Sequence, residues 1–130
     1  MSSNLPALLA LTILLGLLHV MLAGALVTRS RGLRWNMGNR DVEGPPVSAA
    51  AARAQRASHN FLETFPFFAA ALLCAMVAQR DGGVAALGAQ LYFWARVAYL
   101  PIYVIGIPVI RSLVWAVSLV GILMVVAALF

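Results

Sequence analysis

The sequence predicts an all-α protein, an integral membrane bundle of four transmembrane helices, and three observations carry that prediction. Of its 130 residues, 63% are hydrophobic and only 10% charged, whereas soluble domains hold about 45–50% apolar and about 25% charged residues. The apolar residues gather into four runs, each near the ~20 residues that span a hydrocarbon core. The polar residues fall between the runs, and most of the basic ones sit in a single connection. The length allows one domain, residues 1–130, with almost nothing left outside the membrane.

The first apolar run covers about residues 5–27. A secretory signal peptide is the rival reading, since Ala23-Gly24-Ala25 imitates a cleavage site. Against it, no basic residue precedes the run, and the run exceeds the usual ~7–15-residue apolar core of such peptides. It reads as the first transmembrane helix. His19 lies inside it, and the plainest role for it is a histidine hydrogen-bonded to an acceptor between helices.

Residues 28–52 form the main polar segment, with Arg29, Arg31, Arg34 and Arg40, then Asp41, Glu43 and the breaker Gly44-Pro45-Pro46. With Arg53 and Arg56 this region concentrates six of the nine basic residues, all of them arginine. By the positive-inside rule the connection is cytoplasmic, which places both termini of a four-span chain outside. A second helix is predicted over about 48–78, with Pro66 loosening or kinking it. Gln79 to Gly83 make a polar turn, a third helix follows over about 84–105, and Gly106-Ile107-Pro108 separates it from a fourth over about 110–130. Cys74, the single cysteine, reads as a buried small hydrophobe. The basic composition, in so apolar a chain, speaks for membrane orientation and not for nucleic acid. The all-arginine usage and the Ala, Gly and Val content suggest a GC-rich bacterial source, hence a bacterial inner membrane.

Two polar stripes interrupt the apolar helices. Arg53, Arg56, Asn60 and Glu63 step by three, four and three residues, within an arc of roughly 80° on one helix face. Tyr92, Arg96, Tyr99 and Tyr103 step by four, three and four within about 60°. An ionised side chain at the centre of a membrane helix costs about 2.5–3.5 kcal/mol on insertion scales. Glu63 therefore needs a partner, and Arg96, too central to reach either surface, is its expected ion-pair partner. That pair could serve only to fasten two helices. The stripes predict one polar pocket built from Arg53, Arg56, His59, Asn60 and Glu63 with Tyr99 and Tyr103, joined by Arg111 and Ser112. Guanidinium groups grip carboxylates through paired hydrogen bonds, and Asn60 and Glu63 could hold an amide and an ammonium group. A small zwitterionic peptide fits this set. A thiol on it would be ionised beside a guanidinium and steadied by the Ser112 hydroxyl, while the apolar helices supply a lipophilic co-substrate. No metal site is expected, because two histidines on separate helices without clustered Cys, Asp or Glu do not make one. No phosphate-cradling glycine loop and no hydrolase or zincin motif occurs.

At this point the chain resembles the membrane-associated proteins in eicosanoid and glutathione metabolism, the MAPEG family. The family pattern R-A-x-x-N-x-x-E-x-x-P appears as Arg56-Ala57-Ser58-His59-Asn60-Phe61-Leu62-Glu63-Thr64-Phe65-Pro66. A later pattern, R-V-A-[HY]-x-x-x-Y followed by R-S, appears as Arg96-Val97-Ala98-Tyr99 through Tyr103 and then Arg111-Ser112. The stretch Gly38-Asn39-Arg40-Asp41 before Pro45-Pro46 looks like a bacterial branch. The likeness covers essentially the whole chain. It implies a four-helix membrane bundle assembled as a homotrimer in membrane lipid, with glutathione bound between neighbouring subunits. It also implies cofactor contacts at Arg56, Asn60, Glu63, Tyr103 and Arg111, with Arg111 stabilising the thiolate, Ser112 beside it and Arg96 a structural or contact arginine; His59 and Tyr99 join the cofactor-binding set from the polar pocket itself. Three departures stand out. His59 and Tyr99 replace an arginine and a histidine of one family enzyme, and the chain is one residue shorter between Tyr103 and Arg111. The function so implied is a glutathione-dependent transferase or peroxidase acting on lipophilic electrophiles. The alternative is a non-catalytic membrane binding or scaffold protein on the same bundle.

Overall fold

A computed structural model describes residues 4–130, and every regular element in them is helical. The helices are α1 (Leu5–Arg31), α2 (Leu33–Met37), α3 (Ala49–Val77), α4 (Gly83–Ile105) and α5 (Pro108–Ala127). Their ends follow local chemistry. The Asn4 side chain accepts from the Ala7 N–H at the start of α1, and the Ser48 hydroxyl accepts from the Ala51 N–H at the start of α3, each satisfying a donor that the first turn leaves free. Proline opens α5 where its missing N–H costs nothing. Gly106 ends α4 in the left-handed region at φ +97°, a conformation that L side chains rarely adopt.

The helix of the first apolar run continues to Arg31, four residues past the expected span, and α5 starts at Pro108 and stops at Ala127. The short α2 was not legible in the sequence. α3 continues through Pro66, and α4 through Pro101.

Three helices, α1, α3 and α5, are long and apolar enough to cross a membrane. α4 has 23 residues, about 35 Å at 1.5 Å per residue, but its Gln90, Arg96 and three tyrosines make it more polar. It compensates by lying inside the bundle, where Tyr92, Arg96, Tyr99 and Tyr103 are all buried. The outward faces of α1 and α5 instead show leucines such as Leu14, Leu17, Leu113 and Leu123, as a lipid-facing surface requires. The chain is an all-α membrane bundle of four long helices.

Small residues set the closest approach. A Cβ on Gly88 would lie 2.6 Å from the Gly121 carbonyl oxygen, and one on Gly121 would lie 2.6 Å from that of Gly88. α4 and α5 therefore meet backbone to backbone, as small residues permit in membrane helices. Around the crossing, Phe68 stacks on Tyr92 with ring centroids 4.0 Å apart, and the Tyr92 and Thr64 hydroxyls are 2.9 Å apart. On the other side of α3, Phe61 fills the space beside Gly16 of α1.

Three sequence expectations change here. The Glu63–Arg96 ion pair does not form: Arg96 Nη1 donates to Asn60 Oδ1 at 2.8 Å, and no group among the described residues pairs with its Nε or Nη2. The register between α3 and α4 brings the guanidinium level with Asn60, one turn from Glu63, and aromatic faces take over as neighbours. The Arg96 Cζ lies 4.1 Å from the Tyr99 ring centroid and 5.4 Å from that of Phe61. His19 has no hydrogen-bonded partner among the described residues although it is only 1% exposed; it stacks on Phe61 with centroids 4.9 Å apart. Cys74 is exposed, because it faces an apolar groove between α3 and α5 and not the bundle interior.

The connection between α1 and α3 is ordered by Trp35. Arg31 and Arg40 approach its ring at 4.6 and 5.1 Å, and its Nε1 donates to the Val42 carbonyl at 2.9 Å. Arg31 Nε also donates to the Pro45 carbonyl at 3.1 Å, so two of the segment's arginines hold the connection together.

Candidate functional site

The N-terminal half of α3, the C-terminal half of α4 and the first turns of α5 enclose a cavity of about 630 Å³ at one end of the bundle. Its wall includes eight of the nine expected pocket residues: Arg56, His59, Asn60 and Glu63 from α3, Tyr99 and Tyr103 from α4, and Arg111 and Ser112 from α5. Helical spacing puts the α3 set on one face, and the Gly106-Ile107 link folds α5 back so that Arg111 returns to the level of Tyr103.

Tyr103 is the hub of the cationic side. Its hydroxyl accepts from Arg56 Nε at 3.2 Å, the Arg111 Cζ stands 4.7 Å from its ring centroid, and Tyr99 meets it edge-on at 5.5 Å. A guanidinium over a tyrosine face is held by the ring quadrupole while its N–H groups stay available. Asn60 is held from behind by Arg96. Glu63 is exposed in the single chain and makes no ion pair among the described residues, so its carboxylate is an open acceptor on the cavity wall. Ser112 is turned differently: its hydroxyl donates to the Pro108 carbonyl one turn back at 3.3 Å, leaving the oxygen to the cavity only as an acceptor.

Arg53, counted with this pocket on spacing alone, does not reach it. Its Nε donates to the Val104 carbonyl at 2.9 Å, satisfying one of the free acceptors at the end of α4, and the side chain lines a small neighbouring cavity instead. Gln55 and Trp115 are wall residues that the sequence reading missed. Their signal was present, because Gln55 precedes His59 by four residues and Trp115 follows Arg111 by four.

Glu63 also borders a second cavity of about 660 Å³, walled by Phe67, Ala71, Leu119, Ile122 and Val126 among others. A polar cavity rich in donors thus adjoins an apolar groove at one carboxylate. No group of His, Cys, Asp and Glu among the described residues could hold a metal ion. The guanidinium and amide donors can bond carboxylate and carbonyl oxygens, and the Glu63 carboxylate can accept from a cationic group.

Comparison with known proteins gives one match. The family model described as the MAPEG family matches residues 8–130. No curated protein and no solved structure matches the chain.

Proposed function

The chain belongs to the MAPEG family, and on that premise we propose that it is a membrane glutathione-dependent transferase or peroxidase acting on lipophilic electrophiles. The observation that carries the reading is the meeting of Arg56, Asn60, Glu63, Tyr103 and Arg111 on one cavity that shares Glu63 with an apolar groove. Bound there, glutathione supplies a thiolate whose sulfur bonds to the electrophilic carbon while the bond to the leaving group breaks, that group departing with its electron pair. Arg56 and the Asn60 amide hold carboxylate and carbonyl oxygens, and Glu63 accepts from the ammonium group. Arg111 lowers the free energy of the thiolate by placing a positive charge beside it, and the thiol proton leaves to solvent. The groove beyond Glu63 takes the lipophilic partner.

Arg56, His59 and Glu63 are exposed in the single chain, which supports assembly as a homotrimer in which a neighbouring subunit covers the open side. The arginine content of residues 28–56 supports a cytoplasmic position for that segment and outer positions for both termini, in a bacterial inner membrane. One observation favours the non-catalytic reading on the same bundle: the Ser112 hydroxyl is engaged with Pro108 and offers no proton to a thiolate.

The test is thermal stability of the detergent-purified protein against rising glutathione, for wild type, Glu63→Gln and Arg111→Ala. A ligand that binds only the folded state adds about 2.7 kcal/mol at 100 times its Kd. A saturable rise lost in both variants is expected, with turnover of a chloronitroaromatic electrophile in wild type. Binding without turnover selects the scaffold reading, and no rise at millimolar glutathione overturns the use of this peptide.

A further inference from the structure

Beside the large cavity lies a smaller one of about 130 Å³, walled by Arg53, Arg56 and Arg111, the Tyr103 side chain and the Gly106–Pro108 turn. We propose that it is a binding site for a phosphate group, adjoining the thiol-peptide cavity and sharing Arg56, Tyr103 and Arg111 with its wall, while Arg53 belongs to the small cavity alone.

Three features carry the assignment. The first is uncompensated charge. Three guanidinium groups border one small volume, no carboxylate lines it, and none of the three forms an ion pair among the described residues. Like charges so placed repel, and an anion between them turns the repulsion into attraction. The second is preorganisation. Arg53 spends Nε on the Val104 carbonyl, and Arg56 spends Nε on the Tyr103 hydroxyl. Each is therefore fixed in plane with both terminal nitrogens free, the fork that pairs with phosphate oxygens. The third is size. At about 30 Å³ per water, the cavity holds roughly four waters, room for a tetrahedral oxyanion. A planar carboxylate offers two oxygens, whereas three guanidinium groups bordering one volume suit the three or four oxygens of a phosphate.

The position says where such a group comes from. The turn joins two membrane helices at the bundle end that also carries the arginine-rich connection, and Ile107 and Pro108 at its lip are exposed. Lipid headgroup phosphates lie at that depth, and a free phosphate reaches the same lip from the aqueous side.

The experiment uses the full chain in detergent and phosphate-free buffer, with thermal unfolding followed against inorganic phosphate, a short-chain phosphatidylglycerol and a short-chain diacylglycerol without phosphate. Wild type is expected to gain stability saturably with the two phosphate-bearing probes and not with the diacylglycerol. Arg53→Gln keeps a donor for the Val104 carbonyl and removes the charge; it should weaken the apparent affinity by about tenfold or more while its response to glutathione stays that of wild type. Ile107→Asp brings a carboxylate to the lip and should abolish the phosphate response even where Arg53→Gln proves too unstable to study. Saturation by phosphatidylglycerol at far lower concentration than by inorganic phosphate identifies a lipid as the source, and the reverse order identifies free phosphate. The proposal is overturned if wild type responds to neither probe, if chloride at matched ionic strength does the same, or if Arg53→Gln and Ile107→Asp titrate like wild type. A missing glutathione response with an intact phosphate response would count against the transferase reading alone.

Discussion

Arg96 Nη1 donates to Asn60 Oδ1 at 2.8 Å, and this bond decides which end of the Asn60 amide the cavity meets. Arginine has donors only, so the amide oxygen must turn inward to it and the NH₂ group is left for a ligand. Arg96 thus acts on the cavity without lining it, as a positioning residue. Asn60→Asp keeps an acceptor for Arg96 and adds a charge partner, but it presents no donor to the cavity. The variant should unfold at or above the wild-type temperature while glutathione affinity falls about tenfold or more, the value of a hydrogen bond to a charged group. Calorimetric titration checks it; unchanged affinity would mean that Asn60 does not donate to the ligand.

Arg111 and Ser112 should separate in kinetics. With its hydroxyl committed to the Pro108 carbonyl, Ser112 contributes little, and Ser112→Ala should leave turnover of a chloronitroaromatic electrophile nearly intact. Arg111→Ala should lower it by about 10²-fold, comparable to losing one preorganised donor to a reacting anion. The ultraviolet absorbance of bound thiolate gives a second readout, expected to survive in Ser112→Ala and vanish in Arg111→Ala.

The α4–α5 crossing has no room for a methyl group. Gly121→Ala forces a Cβ against the Gly88 carbonyl and the Tyr92 amide, both backbone, and should cost about 1–3 kcal/mol as overpacking does. Gly24 of α1 has nothing within 4 Å of such a Cβ, and Gly24→Ala should gain up to about 1 kcal/mol from helix propensity. Unfolding in mixed detergents measures both, and equal effects of the two substitutions would contradict the close approach.

His19 is buried against Phe61 with neither ring nitrogen bonded to any of the described residues. His19→Phe keeps the stacking and removes two buried polar atoms, so it should stabilise the bundle by about 1–3 kcal/mol. A loss of stability would show that the nitrogens are satisfied in the membrane.

Trp35 is the centre of the α1–α3 connection. Trp35→Ala removes the ring between Arg31 and Arg40 and the bond to Val42, so limited proteolysis within residues 32–48 should accelerate. Glutathione binding should not change, since Trp35 does not line the large cavity.

Intrahelical arithmetic settled much of this protein before any tertiary contact was known. Apolar runs of membrane length determined the all-helical bundle, and steps of three and four placed Arg56, Asn60 and Glu63 on one face and Arg96, Tyr99 and Tyr103 on another, because a helix relates its own residues by a fixed rotation. Partners across helices lie outside that rule. A shift of three residues, about 4.5 Å along the helix, separates Asn60 from Glu63 as the residue that meets Arg96, and only the packing of α3 on α4 selects between them. The same holds for Arg53, drawn to the Val104 carbonyl by the end of α4, for Cys74, exposed because α3 and α5 leave a groove there, and for Ser112, whose hydroxyl turns back to Pro108. Sequence periodicity determines which side chains share a face, and tertiary register determines what each face meets.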